Sequence, residues 1–211
     1  MQIVHYGHSC VLLDTGAARL LFDPGTFSSG FEDLTDLDAV LVTHQHADHL
    51  DPERLPALLD ANPGARLVAD PGSARELADG GITATVARAG DALDLSGVAV
   101  SVIGADHEVV HPDLPVVDNV GYLVEHGAFY HPGDSLHVPE QQVDVLALPT
   151  AAPWMRAADA VDFLRAVAPR AAVPVHQELL AVKDLYYSLF ERLAPKGTVV
   201  APLTPGEPTR V

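Results

Sequence analysis

The apolar run Ala39-Val40-Leu41-Val42 passes without a break into Thr-His-Gln-His-Ala-Asp-His-Leu-Asp, residues 43–51. Four consecutive aliphatic residues with no polar alternation read as a strand buried on both faces. Such a strand needs packed layers above and below it. It also delivers His44, His46, Asp48, His49 and Asp51 together at its end. Alternate residues of an extended segment share a side, so His44 and His46 point the same way and can grip one ion. Asp48 and His49 follow on a turn and can reach a second ion beside the first. A solvated turn is the plain alternative, but three histidines and an aspartate in six residues behind a buried strand favour metal binding.

Four-coordinate metal sites need further ligands from elsewhere in the chain. Three more ionisable residues stand at the ends of expected strands. His107 ends "IGADH", Asp134 lies in the Pro-Gly turn of "FYHPGDS", and His176 ends "AVPVH". His111, four residues after His107, competes with it for the same role. Ionisable groups at successive strand ends are how one rim of a sheet gathers a site.

The surrounding pattern is strand-rich. "IVHY", "CVLLD", "RLLFD" and "AVLVT" are short apolar segments divided by Gly, Asp-Thr-Gly and Pro-Gly turns. "DPERLPALLDA" reads as a helix with Asp51 as N-cap and Pro52 in its first turn. "ARLVAD" is a strand and "PGSARELADG" a helix closed by glycine. "GITATVA", "DALDL", "VAVSVIGAD", "NVGYLVE", "GAFYH" and the central "VDVLALP" are strands. Two amphipathic helices come late, with Val161, Phe163, Leu164 and Val167 on one face of the first and Leu185, Leu189, Phe190 and Leu193 on one face of the second. The strand "RAAVPVH" separates them. This order suggests an α+β fold of two sheets covered by helices, in place of a βαβ alternation. A single domain over 1–211 is expected, with a loose Pro-rich tail from about residue 202.

The motif Thr43-His44-Gln45-His46-Ala47-Asp48-His49, then one histidine, then Gly133-Asp134-Ser135, then a late histidine, resembles the metallo-β-lactamase superfamily. The segments "GHSCVLLDTGAARLLFDPG", "NVGYLVEHGAFYHPGDS" and "VDVLALPTAAPWM" are similar to small β-lactamase-like hydrolases. They are similar to the branch with ascorbate-6-phosphate lactonase and the N-acyl-phosphatidylethanolamine phospholipase D type. The resemblance implies a four-layer αββα sandwich. It implies that His44, His46 and His107 hold a first metal, that Asp48, His49 and His176 hold a second, and that Asp134 bridges both. Asp48 and Asp134 are then the candidate catalytic carboxylates. A hydroxide between two divalent ions, zinc before manganese or iron, would attack an ester, lactone, amide or phosphodiester. Flavodiiron members carry an acid where His46 stands, so the motif favours hydrolysis over oxygen chemistry.

Charge narrows the partners. Against 29 acids the chain has 12 bases, a formal net charge of −17. That field repels nucleic acid and anionic membranes, so a small-molecule substrate is expected. Phosphorylated metabolites remain an alternative, with Arg156 the one cation near the presumed rim, as does a metal-binding or sensor module without catalysis. The start "MQIVHYGHSC" has neither a basic nor an apolar leader region and Cys10 is the lone cysteine, so a cytoplasmic protein without disulfides is expected. His8 and Cys10 share an expected strand face and raise a weak Cys–His nucleophile reading. His8 and Asp23 read better as groups that support the ligands. Trp154 and Met155 are candidates to line a substrate pocket.

Overall fold

A computed structural model describes residues 1–104 and 106–211. Ala105, within the expected strand "VAVSVIGAD", lies outside the described residues. The first half forms β1 (Gln2–His5), β2 (Val11–Asp14), β3 (Arg19–Phe22), β4 (Ala39–Val42), α1 (Leu55–Ala61), β5 (Arg66–Ala69), α2 (Pro71–Asp79) and β6 (Thr85–Val86). The second half forms β7 (Ala92–Leu95), β8 (Val98–Ile103), β9 (Gly121–Val124), β10 (Phe129–His131), β11 (Val145–Pro149), α3 (Ala157–Val167), β12 (Ala171–Val175), α4 (Lys183–Leu193) and β13 (Val199–Val200).

These strands make two sheets, one running β1 to β6 in order and the other β13 down to β7. In the first, β1–β2–β3 is antiparallel and β3–β4–β5–β6 parallel. In the second, β7–β8–β9–β10 is antiparallel and β10–β11–β12–β13 parallel. Ile3, Leu13, Phe22 and Leu41 of the first sheet share one core with Val100, Tyr122, Val145 and Val173 of the second. The opposite face of the first sheet, with Leu12, Leu21, Val40 and Val42, packs on Leu55, Leu58 and Leu77 of α1 and α2. The opposite face of the second, with Leu146 and Leu148, packs on Phe163, Leu164 and Phe190 of α3 and α4. Four layers in the order αββα result, and β4 and β11 are buried at every position.

Several expectations change in detail. Helix α1 begins at Leu55, with Pro56 in its first turn. Asp51 instead closes the preceding turn, accepting bonds from the Glu53 and Arg54 amides. In α4 the packed residues are Tyr186, Phe190 and Leu193, whereas Leu185 is 66% exposed. The tail expected to be loose is pinned to β1 by a reciprocal pair of backbone bonds between Ile3 and Thr209, each 2.8 Å, and Leu203 and Val211 pack against the core. No helix among the described residues is long and apolar enough to cross a membrane.

Candidate metal centre

The rim formed by the ends of β4, β8, β10 and β12 gathers His44, His46, Asp48, His49, His107, Asp134 and His176. Ligand atoms of His44, His46, His107 and Asp134 lie within 4.8 Å of one another, and so do those of His8, His49 and His176. Asp134 joins the two groups. Its Oδ2 is 3.1 Å from His107 Nε2, while its Oδ1 is 3.0 Å from His49 Nε2 and 3.2 Å from His176 Nε2. Asp48 sits at the edge of the second group, with Oδ2 2.9 Å from His8 Nε2 and 3.8 Å from His49 Nε2.

Local backbone structure makes this convergence possible. His8, Asp23 and His176 hold left-handed backbone angles (φ 48°, 44° and 64°). Non-glycine residues adopt that region at a cost, and such strain clusters at functional sites. At His176 the turn occurs as β12 ends, and the His176 amide donates to the His8 carbonyl at 3.0 Å, tying the β1–β2 turn to β12. Gly133 (φ +63°) brings Asp134 inward; a Cβ there would meet Asn119 Oδ1 at 2.3 Å and Thr43 Oγ1 at 2.7 Å. Asn119 Oδ1 in turn accepts the Asp134 amide at 3.0 Å.

Asp23, fully buried, organises the floor. It accepts the Thr43 amide and hydroxyl, both at 2.8 Å, and lies 2.7 Å from His49 Nδ1. That contact directs His49 Nε2 toward Asp134, the arrangement in which a carboxylate orients a metal-binding imidazole. His131 contacts the Ser9 carbonyl through Nε2 and accepts the Gly133 amide on Nδ1, so it braces the turn. The Trp154 indole donates to Asp134 Oδ2 at 2.7 Å, and its ring meets the His107 ring edge-on at 6.1 Å.

Electrostatics suit metal ligation. Burial first, and then neighbouring imidazoles, hold His44 and His46 below the ordinary histidine range. Burial lowers His176 to about 3. All three are therefore neutral near pH 7, the form that ligates. Burial opposes ionisation of Asp134, yet His176, His49 and His107 hold it well below the carboxylate range. Burial likewise opposes ionisation of Asp48, but the His8 contact brings it to about 2. Burial disfavours a charged His49, but Asp134 and Asp23 overcome this and raise it well above the usual value. A field that retains a proton on that imidazole also attracts a metal cation.

The residues fit such an ion. His49 Nε2, Asp134 Oδ1 and both ring nitrogens of His176 are buried without a hydrogen-bond partner. Buried polar atoms in that condition are costly unless something binds them. Their mutual approach at 3.0–3.2 Å is close but off the hydrogen-bonding direction, which is how donor atoms aimed at a common point lie.

Sequence reasoning placed His8 among supporting groups; the structure stacks its ring on His176 at 4.7 Å and brings it into the second group. His111 has a side chain 62% exposed and lies on the surface, whereas His107 is buried in the first group. Cys10 packs with Val4, Leu12 and Leu21, and burial pushes its thiol well up, which removes the nucleophile reading. Arg156 is bound to Asp159 at 2.7 Å with its side chain 83% exposed.

Comparison with known proteins agrees with this architecture. Residues 2–176 match the family described as beta-lactamase superfamily domain, and the chain belongs to it. Protein Rv0786c of Mycobacterium tuberculosis is 50% identical over 208 residues, covering 96% of this chain and 97% of that protein. A protein of Pyrococcus horikoshii named as a metal-dependent hydrolase is 26% identical, with 98% of each chain covered. Among solved structures, the metallo hydrolase Igni18 of Ignicoccus hospitalis has the same fold, with a TM-score of 0.76 at 22% identity over 99% of this chain and 97% of that one.

Proposed function

We propose that this protein is a metal-dependent hydrolase that uses two divalent ions, zinc by preference, to cleave an ester, lactone, amide or phosphodiester bond in a small molecule. The observation that carries the reading is the Asp134 carboxylate, whose two oxygens face two separate groups of histidine ligand atoms. His44, His46 and His107 would hold one ion. His49 and His176 would hold the other, with Asp48 and His8 at its edge. Imidazole and carboxylate donors without thiolate suit zinc, manganese or iron. Bound ions would supply Lewis acidity that lowers the pKa of water toward 7 and offsets negative charge on the attacked group.

The chain's own residues prepare that chemistry. Burial keeps His44, His46 and His176 neutral and free to ligate. Asp23 fixes the His49 ring, and Trp154 holds one oxygen of Asp134. The relatives named as metal-dependent hydrolases and the net charge of −17 support a small-molecule hydrolase over a nuclease.

The test combines elemental analysis of gently purified protein with turnover of chromogenic esters, lactones and bis-phosphodiesters. Two metals per chain and turnover on at least one class are expected. A saturable stoichiometry of one would remove the two-ion reading, and silence from fully loaded protein across the panel would favour a metal-binding module without catalysis.

A further inference from the structure

Directly after His107 the chain makes a loop that returns to it, with the His107 amide donating to the Val117 carbonyl at 3.1 Å. The Glu108 amide donates to the Asp134 carbonyl at 2.9 Å, so the loop is anchored at the metal-binding turn itself. Four aliphatic side chains on this loop are exposed: Val109 (54%), Val110 (40%), Leu114 (54%) and Val116 (52%). With His46 and His107 they line a cleft of about 190 Å³. Its walls carry no Lys or Arg. The one carboxylate among them, Glu108, is engaged by the Leu136 amide at 3.2 Å.

Exposed aliphatic residues grouped on one loop leave apolar area in water at a cost, and such patches mark binding surfaces. This one is continuous with the candidate metal centre, since two of its walls are histidines of the first group. A whole small-molecule ligand occupies roughly 300–1,000 Å³, so a cleft of about 190 Å³ suits one part of a substrate. Apart from the candidate metal ligands at its inner end, the lining offers no cationic side chain for a phosphate. We infer that this cleft is the subsite for an uncharged alkyl or acyl chain, placing the adjoining carbonyl carbon beside His46 and His107. The inference rests on the hydrolase reading above and narrows its substrate to acyl compounds with an apolar chain.

Trp154 is the one tryptophan of the chain, and its ring lies against His107, so its fluorescence reports on occupancy without turnover. Metal-loaded protein is titrated with straight-chain alkanoates of increasing length, from ethanoate to octanoate. Each buried methylene tightens binding by up to about fourfold. The dissociation constant is therefore expected to fall at least tenfold along the series, then level off when the cleft is full. The double variant Leu114→Asn, Val116→Thr makes two exposed side chains of the cleft polar without adding charge. It should abolish the dependence on chain length. A constant affinity along the series, a dependence that survives in the double variant, or no fluorescence response to any alkanoate would each overturn the subsite. The two readings also fail separately. Length-dependent binding without hydrolysis of any panel compound would retain the subsite and remove the hydrolase. Hydrolysis of esters with no preference for acyl length would do the reverse.

Discussion

In the group of His44, His46 and His107, Asp134 is the sole carboxylate, so at the scale of one residue it supplies the only protein anion there. Two divalent ions side by side repel each other, and a carboxylate between them offsets part of that repulsion. Asp134→Asn keeps the shape and removes the charge. The turn should persist, because it is held by the Gly133 backbone and by the Asp134 amide bonded to Asn119. The expected variant is folded, retains at most one ion per chain and loses turnover by about 100-fold or more, the scale of removing one electrostatic stabiliser. Metal content, thermal unfolding and kcat measured together check this; near-normal turnover with both ions retained would make Asp134 an ordinary turn residue. His8 calls for a separate variant. His8→Ala should weaken the second ion by about 10- to 100-fold, the usual cost of losing an orienting neighbour, and leave the first ion in place. Equal loss of both ions, or of neither, in competition with a chelator would remove His8 from the second site. The seven residues of the motif pattern can be singled out from spacing because they fall in the loops that follow β4, β8, β10 and β12. The place of His8 cannot, since Gly-His-Ser-Cys carries no sign that the β1–β2 turn folds over residues 44–49.

Among the elements, α2 shows how a cap combines with burial. Asp70 precedes Pro71 and accepts the Gly72 amide at 2.7 Å and the Ser73 amide at 3.2 Å. Burial nevertheless raises its carboxyl to about 6, against the pull of those bonds. Its folded value is above its unfolded one. Between about pH 4 and 6 the folded chain keeps a proton that the unfolded chain has released, so this group's contribution to stability falls as pH rises through that window. Asp70→Asn still caps the helix and does not titrate. The variant should gain on the wild type as pH rises from 5 to 7.5, reaching an advantage of about 1 kcal/mol. Parallel unfolding curves at both pH values test it, and a constant difference would show that Asp70 stays ionised throughout. The helix itself was readable from Asp-Pro at its start and Gly at its end. Helix α4 was readable in its span but not in its buried face, because Leu185 and Phe190 are equally apolar in sequence while only Phe190 meets the sheet. The tail departs from expectation for a related reason: its Pro and Gly residues predict irregular backbone correctly, but the pairing of Thr209 with Ile3 spans the whole chain and leaves no local trace.

At the scale of the molecule, the two sheets meet through a shared apolar layer, and the candidate ligands are divided between them. His44, His46 and His49 follow β4 of the first sheet, whereas His107, Asp134 and His176 follow β8, β10 and β12 of the second. Ions held between the two sets would join the halves at the rim, beyond the reach of the apolar core. Without the ions, the rim carboxylates are offset only in part, by the His49 imidazole that they hold protonated. Asp48 and Asp134 are both ionised near pH 7, and the whole chain carries −17. Binding that favours the folded state stabilises it by about 4 kcal/mol when free metal exceeds the dissociation constant a thousandfold. For a chain of this length each kcal/mol moves the melting temperature by about 2–4 °C. Chelation at pH 7 should therefore lower the melting temperature by roughly 10 °C, and restoring zinc should recover it. Asp134→Asn, which disturbs both sites, should show a much smaller drop on chelation because it has less to lose. A chelator that empties the protein of metal without moving the wild-type melting temperature would mean that the rim is assembled by the two sheets alone, and the ions would then serve chemistry without contributing to the joining of the halves.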